Sequence, residues 1–263
     1  MILVLAGTKD GRELAADLAA AGYAVLASAA TPYGGRLLRE QPGLSVREGP
    51  LDAAELLELI GKRGIRGVLD ATHPFATGIS CLAREIARQC GIPYLRWERP
   101  RAPLPAGHPL VSRVPGWEEA AGRLAASGRG RVFLAVGIKP LPFFLNHPLL
   151  RNCRFTVRVL PVPESLRACL QLGLRPEQIV ALQGPGTQKF NEALLEEYRA
   201  EILVIKESGT VGGTAEKVAA ACARGLPVVV VDRPQAPPGG EAAASLPEVI
   251  RWAASLVRAR EAR

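Results

Sequence analysis

The stretch VLDATHPFATGISCLAREIARQCGIPYLRWERP, residues 68–100, decides the fold that we predict. It opens with a buried strand over 67–71, turns through a polar corner at 72–74 and continues as a helix over about 76–90. A second short strand follows at 93–95. Because strand, helix and strand alternate in this order, the sequence predicts a parallel sheet that is covered by helices.

The predicted helix carries apolar residues at helical spacing, so one of its faces is expected to lie on the sheet. These residues are Ile79, Leu82, Ala83, Ile86 and Ala87. The corner before the helix falls at the carboxyl end of a strand, where open parallel sheets bind ligands through unpaired backbone N–H groups. Pro74 is expected near the helix start, where its missing N–H costs nothing. His73 is then predicted to lie at a ligand-binding crevice.

The N-terminus repeats the pattern of strand, glycine-bearing turn and helix. Ile2–Ala6 reads as a strand and Gly11–Ala21 as a helix. The turn between them, AGTKDG, is not a GxGxxG motif, so it is a weak dinucleotide signature, although Gly7 would let a phosphate approach the backbone and Thr8 could bond it. Further along, Asp52 is predicted to cap a helix over 52–62.

The second strand, Tyr23–Ala27, ends without the Asp or Glu that binds a ribose 2′-hydroxyl in NAD sites. If a dinucleotide binds, NADP therefore fits better than NAD. Candidates for contact with its 2′-phosphate are Ser28, Thr31 and Arg36, and Tyr33 with Gly34 is expected to shape the surrounding loop.

The segment RAPLPAGHP after Pro100 is rich in proline and glycine and marks a linker. We therefore predict two α/β domains, 1–100 and 101–263, with mostly parallel sheets. Six strands are expected in the second domain, at Leu110–Val114, Val132–Val136, Phe155–Leu160, Ile179–Leu182, Ile202–Ile205 and Val228–Val231. Ser245–Arg258 reads as a final amphipathic helix of the same domain.

Polar or glycine-bearing corners follow the strands of the second domain and are expected to gather on one sheet edge, as the second wall of a cleft between the domains. The candidate ligand contacts there are Gly137, Lys139, Gly184, Lys206, Ser208, Gly209, Gly213 and Lys217. Thr214 is predicted to cap the helix that carries Lys217. A lysine in a first helical turn opposes the helix dipole, and a bound carboxylate would reverse that penalty.

The composition limits the classes of partner. The net charge of +8 suggests a polyanion, but the basic residues form no run and only 5% of residues are aromatic, so we favour a polycarboxylate or phosphate ligand over nucleic acid. Five scattered cysteines without a CxxC pair argue against a zinc site or a disulfide framework. No apolar run is long enough to span a membrane, and we expect a cytoplasmic protein.

Several motifs together resemble the precorrin-6A reductases of cobalamin biosynthesis. They are LAGTKDGRELA, YGG at 33–35, DATHPFA with GIPYLRWERP, QGP at 183–185 and KESGTVGGTAEK at 206–217, and the similarity extends from Ile2 to about Pro234. The resemblance implies two Rossmann-like domains and NADPH-dependent reduction of a ring double bond in precorrin-6A, a macrocycle fringed with carboxylates. One departure is Ala6-Gly7, where such proteins often have two glycines.

The resemblance also distributes the candidate residues between cofactor and substrate. NADPH would be held by Gly7, Thr8, Ser28, Tyr33, Gly34, Arg36, Thr72, His73, Pro74 and Phe75. The macrocycle would face the second-domain corners named above, and Lys206, Ser208 or His73 would deliver the proton that follows hydride transfer. A ring nitrogen of the substrate or a water molecule would serve as well.

Three other functions stay open at this point. A precorrin methyltransferase that uses S-adenosylmethionine would also be α/β, but it should show an acidic residue where Ser28 stands. A non-catalytic nucleotide-binding module would bind NADPH without oxidising it, and a nucleic-acid-binding protein would show strongly salt-dependent affinity. The sequence leaves open whether the macrocycle is metal-free or carries cobalt, and it leaves the oligomeric state open.

Overall fold

The computed structural model describes residues 1–105, 107–235 and 240–261, the last three without their side chains. The chain forms two compact units, of which unit 1 comprises Met1–Pro100 with Gln235–Arg263 and unit 2 comprises Arg101–Pro234. The predicted boundary near residue 100 is present. The prediction was wrong in giving the C-terminal segment to the second domain, because that segment packs into the core of unit 1.

The described residues form twelve strands and ten α-helices. The strands are β1 (Ile2–Leu5), β2 (Val25–Ala29), β3 (Ser45–Glu48), β4 (Gly67–Asp70), β5 (Tyr94–Trp97), β6 (Val111–Val114), β7 (Arg131–Ala135), β8 (Arg154–Val159), β9 (Ile179–Ala181), β10 (Ile202–Lys206), β11 (Val228–Val231) and β12 (Glu241–Ala243). The helices are α1 (Lys9–Ala20), α2 (Pro32–Arg39), α3 (Ala53–Arg63), α4 (Thr77–Gln89), α5 (Trp117–Ala126), α6 (Leu141–Asn146), α7 (Pro163–Gln171), α8 (Gln188–Glu197), α9 (Thr214–Ala223) and α10 (Leu246–Glu261).

Unit 1 is built on a parallel sheet with the strand order β12-β5-β4-β1-β2-β3. The chain moves outward from β1 in one direction and from β4 in the other, so the order reverses between these two strands. Both are fully buried, because helices cover both faces of the sheet. As predicted, Ala83, Ile86 and Ala87 of α4 lie in the core. The α/β class and the Rossmann-like arrangement are confirmed.

The C-terminal segment completes this sheet. β12 pairs with β5 in parallel, and α10 places Val249, Trp252 and Leu256 in the hydrophobic cluster below β1 and α1. The strand position leaves no room for a larger residue at Gly67, where a Cβ would lie 2.6 Å from Leu256. An amphipathic pattern shows that a helix covers a sheet, but it does not show which sheet, and this is why the sequence assigned the segment to the wrong unit.

Unit 2 repeats the architecture with the order β6-β11-β10-β7-β8-β9, again entirely parallel in its described strands. All six predicted strands are present to within one or two residues. The order reverses between β7 and β10. The two units therefore have one reversal point each, β1/β4 in unit 1 and β7/β10 in unit 2.

One local prediction for unit 1 was wrong. Tyr33 and Gly34 lie in α2 rather than in a loop, because Thr31 caps that helix and Pro32 occupies its first position, where no N–H is needed. As predicted, Pro74 lies near the start of α4, which it precedes by a short turn. Asp52 is confirmed as a cap of α3, in a reciprocal capping box with Glu55.

Within the described ranges, no helix is long and apolar enough to cross a membrane.

Candidate functional site

Each reversal point identifies a candidate site in its own unit, because ligands of open α/β sheets bind at the carboxyl ends of the strands where the order reverses. In unit 1 this edge consists of the loops after β1 and β4, and in unit 2 of the loops after β7 and β10. Most predicted site residues lie in these four loops.

The loop after β1 is tied to the loop after β4 by one side chain. Thr8 caps α1, where its Oγ1 accepts a hydrogen bond from the Gly11 N–H at 3.1 Å, and it donates to the carbonyl of Ala71 at 2.9 Å. Gly11 is packed so tightly that a Cβ would lie 3.0 Å from the Ala71 oxygen. Gly7, in contrast, is exposed, and a Cβ there would meet nothing within 4 Å. The open surface at Gly7 would accept a phosphate close to the backbone.

An acidic residue in the first turn of α1 is neutralised by β5 and the segment after it. Asp10 is buried and accepts hydrogen bonds from Arg99 at 2.9 Å and from the Trp97 indole at 3.1 Å. The ion pair with Arg99 cancels the charge that would otherwise repel an anion at this helix end. The sequence analysis had overlooked Asp10, although it belongs to the quoted AGTKDG turn.

The corner after β4 is organised by the fully buried Asp70. This carboxylate pairs with Arg96 at 2.7 Å, and it accepts hydrogen bonds from the Tyr94 hydroxyl at 2.7 Å and from the Thr72 N–H at 2.9 Å. Arg96 also donates to the Thr72 carbonyl at 3.0 Å. Burial alone would raise the pKa of Asp70, but Arg96 and the hydrogen bonds lower it overall. Burial and the neighbouring Asp70 raise the pKa of Tyr94. Every charge in this corner has a partner.

The same corner fixes the ring of His73. Its Nδ1 accepts a hydrogen bond from the Phe75 N–H at 3.1 Å, and the two rings lie 5.8 Å apart. A neutral imidazole that accepts at Nδ1 carries its proton on Nε2. Thr72, His73, Pro74 and Phe75 are all partly exposed at this edge. The predicted group therefore lies together, and Nε2 of His73 is the nitrogen that can donate.

The residues after β2 divide into packing residues and accessible ones. Ser28 is only 5% exposed, and a Cβ at Gly34 would lie 2.9 Å from that of Ala29, so close packing accounts for this glycine. Arg36 is exposed, and its guanidinium lies 5.8 Å from the centre of the Tyr33 ring. Of the predicted 2′-phosphate contacts, Thr31 and Arg36 are exposed and Ser28 is buried.

In unit 2, the corner after β7 meets the corner after β10. Gly137 has φ of 77°, which favours glycine, and a Cβ there would lie 3.8 Å from Nζ of Lys206. Lys139 is exposed two residues further on. In the second corner, Ser208 is buried and its N–H donates to Thr214 Oγ1 at 3.2 Å. Thr214 is thus not the cap of α9 as predicted, because Gly213 takes that position with φ of 64°.

A buried carboxylate that the sequence analysis overlooked holds this second corner. Glu207 is fully buried, accepts hydrogen bonds from the N–H groups of Gly209 at 2.8 Å and Ala102 at 3.2 Å, and pairs with Arg233. It lies inside the quoted KESGTVGGTAEK motif, between two predicted site residues. Its role is to position the loop that carries Ser208.

Lys217 lies in the first turn of α9, and its Nζ donates to the Gly212 carbonyl at 2.6 Å. Burial lowers the pKa of Lys217 to about 8, and the positive charges of Arg158 and Lys206 act in the same direction against Glu216. Gly184 lies next to the Pro185 ring, which packs so closely on Gly213 that a Cβ there would lie 2.1 Å from it.

Comparison with known proteins identifies the relatives of this chain. Residues 1–254 match the family described as precorrin-6x reductase CbiJ/CobK. A cobalt-precorrin-6A reductase of Priestia megaterium is 37% identical over 236 residues, 89% of this chain and 91% of the relative. A cobalt-precorrin-6A reductase of Methanothermobacter thermautotrophicus is 40% identical over 245 residues, which are 92% of this chain and 79% of the relative. A solved structure of CobK precorrin-6A reductase superposes with a TM-score of 0.79 at 30% identity, over 97% of this chain and 96% of that one.

Proposed function

Because the chain belongs to the precorrin-6A reductase family, we propose that it transfers a hydride from NADPH to a ring double bond of precorrin-6A or of its cobalt complex. The family match over residues 1–254 carries this proposal. It makes the chain an oxidoreductase of cobalamin biosynthesis that acts on a ring C=C bond. The methyltransferase and the non-catalytic module considered from the sequence are thereby set aside.

The edge of unit 1 suits a phosphorylated dinucleotide. Gly7 leaves open surface at the end of β1, Thr8 fixes the start of α1, and Arg99 neutralises Asp10 at that helix end. Ser28 stands where an NAD site would have an acidic residue, and Arg36 supplies a positive charge on the helix that follows. NADPH supplies the hydride when it is bound. Thr72, His73, Pro74 and Phe75 would line the other side of this site.

The edge of unit 2 suits a polycarboxylate. Lys139, Lys206 and Lys217 bring positive charge to loops in which Gly184 is exposed and Gly137 is partly exposed, whereas Gly209 and Gly213 are buried. Ser208 is buried against Thr214, so we assign it a positioning role. Lys206 and Nε2 of His73 then stay as the candidate proton donors of the protein.

Anaerobic NADPH oxidation, followed with metal-free precorrin-6A and with its cobalt complex, tests the proposal. Turnover with at least one of them is expected, with NADPH preferred over NADH. Arg36→Gln should weaken NADPH binding by roughly 10-fold and leave NADH binding unchanged, because only NADPH carries the 2′-phosphate. Arg39→Gln on the same helix, whose side chain pairs with Glu48, is the matched control. Absence of NADPH oxidation with both substrates would refute the proposed function.

A further inference from the structure

A buried arginine of unit 2 has no role in the function described so far. Arg158 lies near the end of β8 and is only 7% exposed. Its guanidinium donates to the Asn191 side-chain oxygen at 3.0 Å and to the Pro185 carbonyl at 3.2 Å. Within the ranges that the structure describes, no carboxylate pairs with it. A buried charge without a counter-ion is costly, and a neutral glutamine would make these two hydrogen bonds at lower cost.

A second buried cation lies beside it. Arg158, Asn191 and Lys217 line the same cavity of about 10 Å³, and Lys217 has no ion pair among the described residues either. The cavity holds one water molecule at most, so an anion would have to bind at its outer rim rather than inside. Burial of the positive charge lowers the pKa of Arg158, and burial lowers that of Lys217 to about 8. Burial is the largest cause of both shifts, and for Lys217 the charge of Glu216 does not compensate it.

The Gly184–Thr187 turn lies close to the guanidinium of Arg158. Gly184 is exposed, and a Cβ there would lie 2.5 Å from Nη2 of Arg158, so any larger residue would cover that nitrogen. Asn191 holds the turn in place by donating to the carbonyls of Gly186 at 3.3 Å and Thr187 at 2.7 Å. The turn and the arginine are thus one assembly, in which the exposed Gly184 lies directly against the guanidinium.

We infer that Arg158 and Lys217 form a carboxylate-binding subsite beneath the Gly184–Thr187 turn, and that it binds one acidic side chain of the macrocycle. This inference rests on the proposed function and adds Arg158, with Asn191 as its positioning residue, to the substrate contacts. Arg158 contributes bidentate geometry, since a planar guanidinium matches a carboxylate. The incoming negative charge would also hold Lys217 in its protonated form against Arg158 and Lys206, which together outweigh Glu216.

Equilibrium binding of uroporphyrin, a stable tetrapyrrole with eight carboxylates, provides a test that needs no turnover. Arg158→Gln should raise its Kd roughly 10-fold or more, and Arg158→Lys should recover part of the loss. Arg154→Gln is the matched control, because Arg154 lies on the same strand, is exposed and has no ion pair in the described chain. In steady-state assays of NADPH oxidation, Arg158→Gln should raise KM and change kcat little.

The pH dependence is the second measurement, and it remains available if Arg158→Gln does not fold. Uroporphyrin binding to the unmodified protein should weaken as the pH rises through about 8, and Lys217→Met should remove this dependence. Unchanged binding in both Arg158→Gln and Lys217→Met would overturn the subsite. A protein that binds uroporphyrin with these dependences but oxidises no NADPH would contradict the proposed function and support the subsite.

Discussion

The loop after β4 and the end of β8 differ in how buried charge is compensated. In the first, Asp70, Arg96, Tyr94 and Thr72 satisfy one another completely. In the second, Arg158 is buried with only neutral partners. A corner that balances its own charges is a rigid support for backbone groups and for His73. A corner that leaves positive charge unbalanced is less stable by itself but ready for an anion.

Removing the carboxylate of the balanced corner should have the largest effect. Asp70→Asn leaves the mostly buried Arg96 without its counter-ion, and we expect the free energy of unfolding to fall by about 3–5 kcal/mol. Denaturant unfolding at pH 7 measures it. Because the pKa of Asp70 lies below its unfolded value, the pair stabilises the protein fully above about pH 4 and less as the pH falls through the folded pKa, so the difference between the proteins should shrink in acid.

Glu85→Gln is the control for this substitution. Glu85 pairs with Arg88 on the exposed face of α4, and its loss should leave stability nearly unchanged. If Asp70→Asn were equally harmless, the corner would not depend on its internal charge balance.

Removing Lys217, the buried cation beside Arg158, should change the free energy of unfolding in the opposite direction. Lys217→Met is expected to raise the free energy of unfolding by about 1–3 kcal/mol at pH 7, because one unit of pKa shift corresponds to about 1.4 kcal/mol and part of the shift is screened by solvent. The folded pKa of Lys217, about 8, lies below the ordinary lysine value of 10.5. The cost of burying the charged Lys217 side chain is therefore complete below pH 8 and disappears as the pH rises towards 10.5.

Urea unfolding of Lys217→Met and of the unmodified protein, at several pH values between 7 and 10, measures the difference in their free energies of unfolding. This difference should decrease with rising pH. A Lys217→Met variant that is less stable at pH 7 would show that the lysine is balanced after all. The contrast between the two corners would then be lost.

Two glycines of the β1 loop refine the comparison within unit 1. Gly7→Ala should leave stability unchanged and weaken NADPH binding about 10-fold, because the new methyl group enters open surface where we place a phosphate. Gly11→Ala should instead cost about 1–3 kcal/mol of stability, since its Cβ would meet backbone at 3.0 Å. Thermal unfolding and fluorescence titration with NADPH measure the two effects. Equal NADPH affinity of Gly7→Ala and the unmodified protein would remove Gly7 from the cofactor site.

Hydrophobic pattern predicted most of the fold. The runs in β4 and β11 and the periodicity of α4 are strong signals, because both faces of these strands and one face of the helix are buried. The prediction failed at α2, whose sequence PYGGRLLR looks like a turn although its glycines serve close packing. It also failed at β12, whose three residues carry no pattern of their own and pair only because β5 offers an edge.

The prediction of the candidate site used residue types that signal ligand contact, such as Gly7, Thr8 and His73, and their contact with a ligand stays a prediction. It was incomplete where a charged residue is buried. Arg158 alternates with Phe155, Val157 and Val159 along β8, and such alternation predicts a solvent-facing side chain. In a sheet covered on both faces the side chain has no solvent to reach. Glu207 was overlooked because a carboxylate next to serine looks like part of a loop, and Asp70 was given no role although it lies in the predicted strand 67–71.

The position of Glu207 has a consequence for how this protein can evolve. Its carboxylate bonds Ala102 and pairs with Arg233, the residues next to the first and last of unit 2. The chain thus enters and leaves that unit within the reach of one side chain, which is the topology of an inserted domain. A lineage could lengthen, shorten or exchange the whole insertion as a cassette, since the host sheet needs only a short bridge between residues 100 and 235.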